Sequence, residues 1–156
     1  MAVDVQIATR AGGVPGSADL VHWAESALDD ADPEPDLTLR IVGRPEGHRL
    51  NQQFRNIDRP TNVLSFPFES PPGVELPLLG DVVICAPVVS REAKQQGKPI
   101  GAHYAHLVVH GVLHLRGYDH DNEADAERME SIEVALLHRL GFPDPYQTRA
   151  FGEAAP

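Results

Sequence analysis

Cysteine is nearly absent from this sequence: Cys85 is the one thiol in 156 residues. An internal disulfide is therefore excluded, which agrees with a reducing compartment such as the cytoplasm. Cys85 ends the apolar run Val82-Val83-Ile84 and has no neighbouring base that could activate it. We therefore interpret it as a small buried hydrophobe and not as a nucleophile.

Long apolar runs are also missing, and the N-terminus has no basic stretch followed by an apolar core. These absences argue against a membrane span, a membrane partner and a secretory signal, so we expect a cytoplasmic protein. Hydrophobic residues still make up 42% of the chain, which is enough for a folded core. The length predicts a single domain over residues 1–156, with 146–156 as a tail that has no clear pattern.

Positive charge is scarce, with 13 Lys and Arg against 23 Asp and Glu and a net charge of −10. This balance argues against non-specific binding of nucleic acid over the whole surface. The basic residues are clustered, however. Five arginines stand against two acids in residues 40–60, and four basic residues against one acid in 91–116. The pattern fits either a local basic groove or ordinary solvated helix faces.

Apolar periodicity predicts an α+β fold: a mixed sheet of about four strands with about five helices packed on it. Alternating or continuous apolar residues indicate strands at 3–7, 37–41, 63–66 and 79–85, the last two of which we expect to pair antiparallel. Helical spacing and capping residues indicate helices at 17–28, 46–54, 87–96, 102–115 and 122–140.

Three histidines mark the end of the fourth predicted helix. His110 and His114 are one turn apart on one helix face, and Gly117 allows a sharp turn that can return His120 towards them. Three imidazoles that converge on one point favour a divalent metal, most plausibly Zn²⁺ with an open position for water. Such a metal lowers the pKa of bound water to about 7, so the spacing predicts a catalytic metal site.

The spacing also resembles the zinc-binding helix of metalloproteases, but Gly111 replaces the glutamate that acts there as general base. We interpret Gly111 as consistent with an open cleft above the metal. A structural zinc would need a fourth ligand, for which Asp119 and Asp81 are the candidates. Asp119 could instead orient an imidazole, or simply cap the turn before the last helix.

Two further histidines, His103 and His106, continue the stripe of His110 and His114 along the same helix, opposite most of its apolar residues. They could line the site and contact substrate, or they could face solvent.

Three segments together resemble the YbeY family of bacterial rRNA maturation factors. They are Phe54-Arg55 with Asp58 and residues 60–68 (PTNVLSFPF), residues 79–84 (LGDVVI), and residues 110–120 (HGVLHLRGYDH). Their order and spacing are similar to that family over most of residues 37–146.

The resemblance implies one zinc ion held by His110, His114 and His120, with Arg55 as the functionally important arginine beside the metal cleft. It implies a single-strand-specific endoribonuclease of rRNA processing, 16S rRNA 3′-end maturation and ribosome quality control. The implied partners are an rRNA precursor and the ribosome or its small-subunit proteins. The family often has Gly-Lys after the arginine, whereas this chain has Asn56-Ile57 and so lacks a positive charge there.

Two other functions remain open from the sequence. One is a zinc-containing ribosome-assembly factor without nuclease activity. The other is a metallopeptidase-like hydrolase, which the glycine at position 111 disfavours.

Overall fold

The computed structural model describes residues 3–28, 35–69, 71–74 and 78–146. Its elements in chain order are β1 Val3–Ala8, α1 Ser17–Ser26, β2 Asp36–Val42, α2 Arg44–Arg55, β3 Val63–Pro67, β4 Leu78–Cys85, α3 Ala86–Gln96, α4 Ile100–Leu115 and α5 Glu123–Arg139. The predicted α+β class, four-stranded mixed sheet and five helices are confirmed. Of the predicted tail, residues 147–156 lie outside the described residues.

The four strands form one sheet in the order β1-β2-β4-β3. The pairs β1–β2 and β2–β4 are parallel, and β3 pairs antiparallel with β4, as predicted. Pro67 ends β3, which is an edge strand and therefore tolerates the missing backbone donor.

Residues alternate between the two sheet faces and so divide the core in two. The larger cluster includes Leu39, Val82 and Ile84 and packs against α1, α4 and α5. The smaller cluster, with Val83, Cys85 and Leu64, packs on the other face with Leu50 of α2. Cys85 is 2% exposed, which confirms that it is a buried hydrophobe, and burial raises the pKa of its thiol.

Three helices begin one or two residues earlier than the periodicity predicted, namely α2, α3 and α4. A proline in the first turn of a helix costs no needed donor. Pro45 occupies the first turn of α2, and α4 begins directly after Pro99. Both positions matter for the site, since α2 ends at Arg55 and α4 carries the histidines. Among the residues with assigned structure, no helix combines the length and apolarity that crossing a bilayer requires.

Candidate functional site

The three histidines of the motif line one cleft together with Arg55. His110 and His114 project from the last turns of α4, and Gly117, at φ 99°, turns the chain so that His120 returns to them. The cleft has a volume of about 590 Å³ and is walled on the other side by β3 and the end of α2. The imidazole centroids are 5.6 Å apart for His110–His120, 6.0 Å for His114–His120 and 6.4 Å for His110–His114.

A buried carboxylate lies directly behind the cleft. Glu133 of α5 is fully buried, and its oxygens lie 2.7 Å from Nδ1 of His110 and 2.9 Å from Nε2 of His106. The hydroxyl of Tyr146 donates a third hydrogen bond to the same carboxylate. Burial alone would raise the pKa of Glu133, but the hydrogen bonds from His106, His110 and Tyr146 outweigh it and lower the pKa to about 2.

The ionised Glu133 fixes the protonation of His110. A carboxylate can only accept hydrogen bonds, so the Nδ1 atom of His110 that faces it carries a proton. In the neutral imidazole the lone pair then belongs to Nε2. Carboxylate–histidine pairs of this kind orient metal-binding imidazoles and make them more basic.

His114 is also prepared for ligation. Its pKa is lowered, first by burial and then by the neighbouring His110 and His120, so its neutral form is favoured. A neutral imidazole is the form that binds a metal ion.

The donor atoms fit a divalent metal. His106, His110 and Glu133 form a group that could hold an ion, since one donor atom of each lies within 4.8 Å of the others. Hydrogen bonds already join these same atoms to one another, however. Three imidazoles on one tetrahedral ion place their centroids about 5 Å apart, whereas those of the three cleft histidines are 5.6 to 6.4 Å apart and would have to move closer to share one ion.

Arg55 is the last residue of α2 and projects at the mouth of the cleft. Asn56 follows it in the left-handed conformation, at φ 58°, and ends the helix. Glycine adopts this conformation most easily and asparagine is the next best residue. This explains why Asn56 can stand where the family often has glycine. The cap turns the chain away directly after the arginine.

The two basic segments do not merge into one basic groove at the histidines. Within the described part of the chain, Arg55 is the one Lys or Arg that lines the histidine cleft. Arg40 pairs with Glu46 through two hydrogen bonds of 2.7 and 3.0 Å, and Arg116 donates to the backbone carbonyl of Ala27. Several of these basic residues therefore have local structural partners.

Gly111 faces the sheet and not the cleft, so our interpretation of it as part of an open cleft is wrong. A Cβ at this position would stand 2.7 Å from Cγ1 of Val82 and 3.4 Å from Cγ2 of Val63. The backbone carbonyl of Gly111 also accepts a hydrogen bond from Ser65 of β3. The glycine therefore allows α4 to approach the sheet closely.

The other candidate residues lie apart from the cleft or at its edge. Asp81 lines a separate groove with Asp4 and Thr38, and the structure does not bring it to the histidines. Asp119 is half-buried and accepts the backbone N–H of Asp121 at 3.3 Å, as a turn residue does.

The stripe of His103 and His106 does not face solvent. His103 is 4% exposed and bonds to Glu92 of α3, whereas His106 bonds to Glu133. Both residues line a second cavity next to the histidine cleft.

The sequence reasoning missed Glu133, Tyr146 and Glu92. Glu133 carried a detectable signal, because it is four residues after Met129 and three before Leu136, on the apolar face of α5. An acid on such a face needs buried partners. Tyr146 and Glu92 lie in segments whose approach to α4 has no local sequence signal.

Comparison with known proteins agrees with this geometry. A family model described as "Endoribonuclease YbeY" matches residues 14–141. The solution structure of TM1509 from Thermotoga maritima is similar with a TM-score of 0.58 and 25% identity, covering 88% of this chain and 91% of that one.

Proposed function

The chain belongs to the YbeY endoribonuclease family, and on that premise we propose that it is a zinc-dependent, single-strand-specific endoribonuclease of the cytoplasm. Its proposed role is rRNA processing, in particular 16S rRNA 3′-end maturation, together with ribosome biogenesis and quality control. The observation that carries the proposal is one cleft that joins Arg55 to His110, His114 and His120.

His110, His114 and His120 are the proposed zinc ligands, one ion per chain. Glu133 holds the Nδ1–H of His110 and so leaves Nε2 with the lone pair that a metal requires. When bound, zinc supplies Lewis acidity and an activated water at neutral pH.

Arg55 is the proposed contact to the scissile phosphate. Its guanidinium can donate two parallel hydrogen bonds to phosphate oxygens. Negative charge builds on the phosphate as the nucleophile attacks, so a cation fixed at the cleft mouth stabilises the transition state more than the ground state.

The size of the cleft supports a single-stranded substrate. Its volume of about 590 Å³ is in the range of sites for small molecules and cofactors, which suits an unpaired nucleotide and not a duplex. An acidic chain with one lysine or arginine among the described lining residues also suits local, and not whole-surface, contact with RNA.

The test compares zinc content and cleavage of a precursor carrying the 16S rRNA 3′ end, for wild type and three variants. We expect His114→Ala to lose both zinc and cleavage. We expect Arg55→Ala to retain zinc but to lose about 100-fold or more in rate, as removal of one transition-state donor does.

The matched variant His106→Ala distinguishes the two possible metal positions. It removes a member of the His106/His110/Glu133 group but no proposed ligand, so we expect zinc to remain bound. Loss of zinc in His106→Ala with retention in His114→Ala would place the metal in that other group. Equal cleavage by wild type and Arg55→Ala would remove Arg55 from the mechanism.

The two alternative functions predict different results. An assembly factor without nuclease activity predicts that His114→Ala lowers stability while ribosome association survives and no cleavage occurs in wild type. A metallopeptidase-like hydrolase predicts turnover of peptides. The glycine at position 111 disfavours the second alternative, because the chain has no general base where zinc metallopeptidases carry theirs.

A further inference from the structure

Phe54 is unusually exposed for its size. Its side chain is 58% exposed, more than that of any other large hydrophobic residue in the described ranges. It lies in the last turn of α2, directly before Arg55, and both residues line the histidine cleft. An aromatic ring that remains in water at the edge of the histidine cleft offers its face to a ligand bound there.

Phe66 of β3 supports the ring of Phe54. The two centroids are 5.1 Å apart at an interplanar angle of 68°, an edge-to-face contact that limits the freedom of the exposed ring. Because the ring is already ordered by this contact, covering it with a ligand loses little side-chain entropy.

We propose that Phe54, supported by Phe66, is a stacking platform for a nucleobase of the single-stranded RNA substrate. The base belongs to a nucleotide next to the phosphate that Arg55 holds, so this inference rests on the proposed function. An aromatic ring beside a cation is the usual arrangement for unpaired RNA, because the ring contacts a base and the cation contacts the backbone.

The surroundings of the ring favour a base over an apolar protein segment. The cleft beside the phenylalanine pair is partly polar, since Thr61, Asn62 and Ser65 also line it. A nucleobase has an apolar face and a rim of hydrogen-bonding groups, and so it matches a ring surrounded by polar side chains. Asn62 and Ser65 already bond to Glu92 and to the carbonyl of Gly111, and the edge of a base can use the hydrogen-bonding capacity that remains on them, whereas a hydrophobic peptide cannot.

The test measures steady-state cleavage of a labelled single-stranded oligoribonucleotide by the zinc-loaded protein. We expect Phe54→Ala to lower kcat/KM by about 5- to 100-fold, mainly through KM, because stacking contributes about 1–3 kcal/mol per base. Phe54→Trp provides a stacking surface again and should recover most of the lost kcat/KM. Phe68→Ala is the matched control, since Phe68 is 40% exposed but lines a different groove.

Substrates with one abasic nucleotide identify the stacked base. Wild type should cleave the substrate more slowly when the abasic nucleotide is at the stacked position near the scissile bond. Phe54→Ala should cleave the abasic and the intact strands at the same low rate. Melting temperatures of all variants separate a folding defect from a binding defect.

Three outcomes would overturn the platform. The first is that the kcat/KM of Phe54→Ala lies within twofold of that of Phe68→Ala although Arg55→Ala is defective. This result would refute the platform and leave the proposed function intact. The second is unchanged cleavage by Phe54→Ala combined with weaker binding to isolated small ribosomal subunits, which assigns the ring to a protein contact. The third is an inactive wild type, which removes the platform and the proposed function together.

Discussion

Replacing Glu133 with glutamine tests how the buried carboxylate prepares the proposed metal site. The substitution keeps the side-chain volume but exchanges one acceptor oxygen for an NH₂ group. The carboxylate now accepts from His110 at 2.7 Å, from His106 at 2.9 Å and from Tyr146. In the variant, the NH₂ group must face one of the two imidazoles.

Each orientation of the glutamine has a different effect. If the NH₂ faces His110, that imidazole must accept at Nδ1 and carry its proton on Nε2, where the lone pair for the metal should be. If it faces His106, the proton moves to Nδ1, which is buried without a hydrogen-bond partner among the described residues. Both outcomes are unfavourable, because either a ligand is blocked or a buried donor is left unpaired.

The magnitude follows from the loss of one hydrogen bond to a buried charge. We expect the metal-free protein to lose about 2–3 kcal/mol of unfolding free energy, which is about 5–10 °C in Tm for a domain of this size. Zinc affinity should fall about 10- to 100-fold, as for other residues that orient a metal-binding histidine. Thermal unfolding and competition with a chromophoric chelator measure the two effects.

Two variants make this experiment specific. Glu127→Gln removes the same charge from an exposed position on the same helix and should change neither quantity. Tyr146→Phe removes one hydrogen bond without touching His110, so it should lower stability by about 1 kcal/mol and leave zinc affinity unchanged. Unchanged stability and zinc affinity in Glu133→Gln would refute the positioning role.

Two further predictions concern packing and charge. Gly111→Ala should lower the free energy of unfolding, measured by chemical denaturation, by about 1–2 kcal/mol, because its Cβ would stand 2.7 Å from Val82. The control is Gly101→Ala in the same helix, whose Cβ meets nothing within 4 Å, so that this variant should be neutral or stabilising. Equal stabilities of the two variants would contradict the close helix–sheet contact. The hydrogen bond from Arg40 lowers the pKa of Glu46 in the folded protein below its ordinary value of 4.5. The pair therefore stabilises the fold above about pH 4.5, and this stabilisation is lost as the pH falls through the pKa of the folded state. We expect Glu46→Gln to be about 0.5–1 kcal/mol less stable than wild type at pH 7. The difference should shrink as the pH falls below 4.5 and disappear once the carboxyl is protonated in the folded protein, and a difference that stays constant with pH would refute the pairing.

Short-range patterns were sufficient for much of the fold. The apolar run before Cys85 and the alternation at residues 37–41 predicted two central strands. Gly97 is a residue typical of a helix end and does end α3, and of the two candidate caps Asp121 and Asn122 it is Asn122 that begins α5. These features depend on neighbours within one or two turns, so the sequence contains them directly.

Contacts between distant segments could not be read in the same way. Asp81 became a candidate because a structural zinc would need a carboxylate as its fourth ligand, yet the alternation of β4 places it on the sheet face opposite Val82 and α4. The alternation of side chains along a strand shows which residues share a face, but it does not show which face the histidine helix α4 covers.

The sequence by itself determined the spacing of His110, His114 and His120, because one helical turn and one glycine turn are enough to make them converge. Only the tertiary structure decided what surrounds them: the carboxylate of Glu133 behind His110, the guanidinium of Arg55 in front, and the sheet beneath Gly111. These groups come from α5, α2 and the central strands, and their meeting depends on how hydrophobic faces pack across the whole domain. Packing of that kind is a property of the complete chain and not of any local segment.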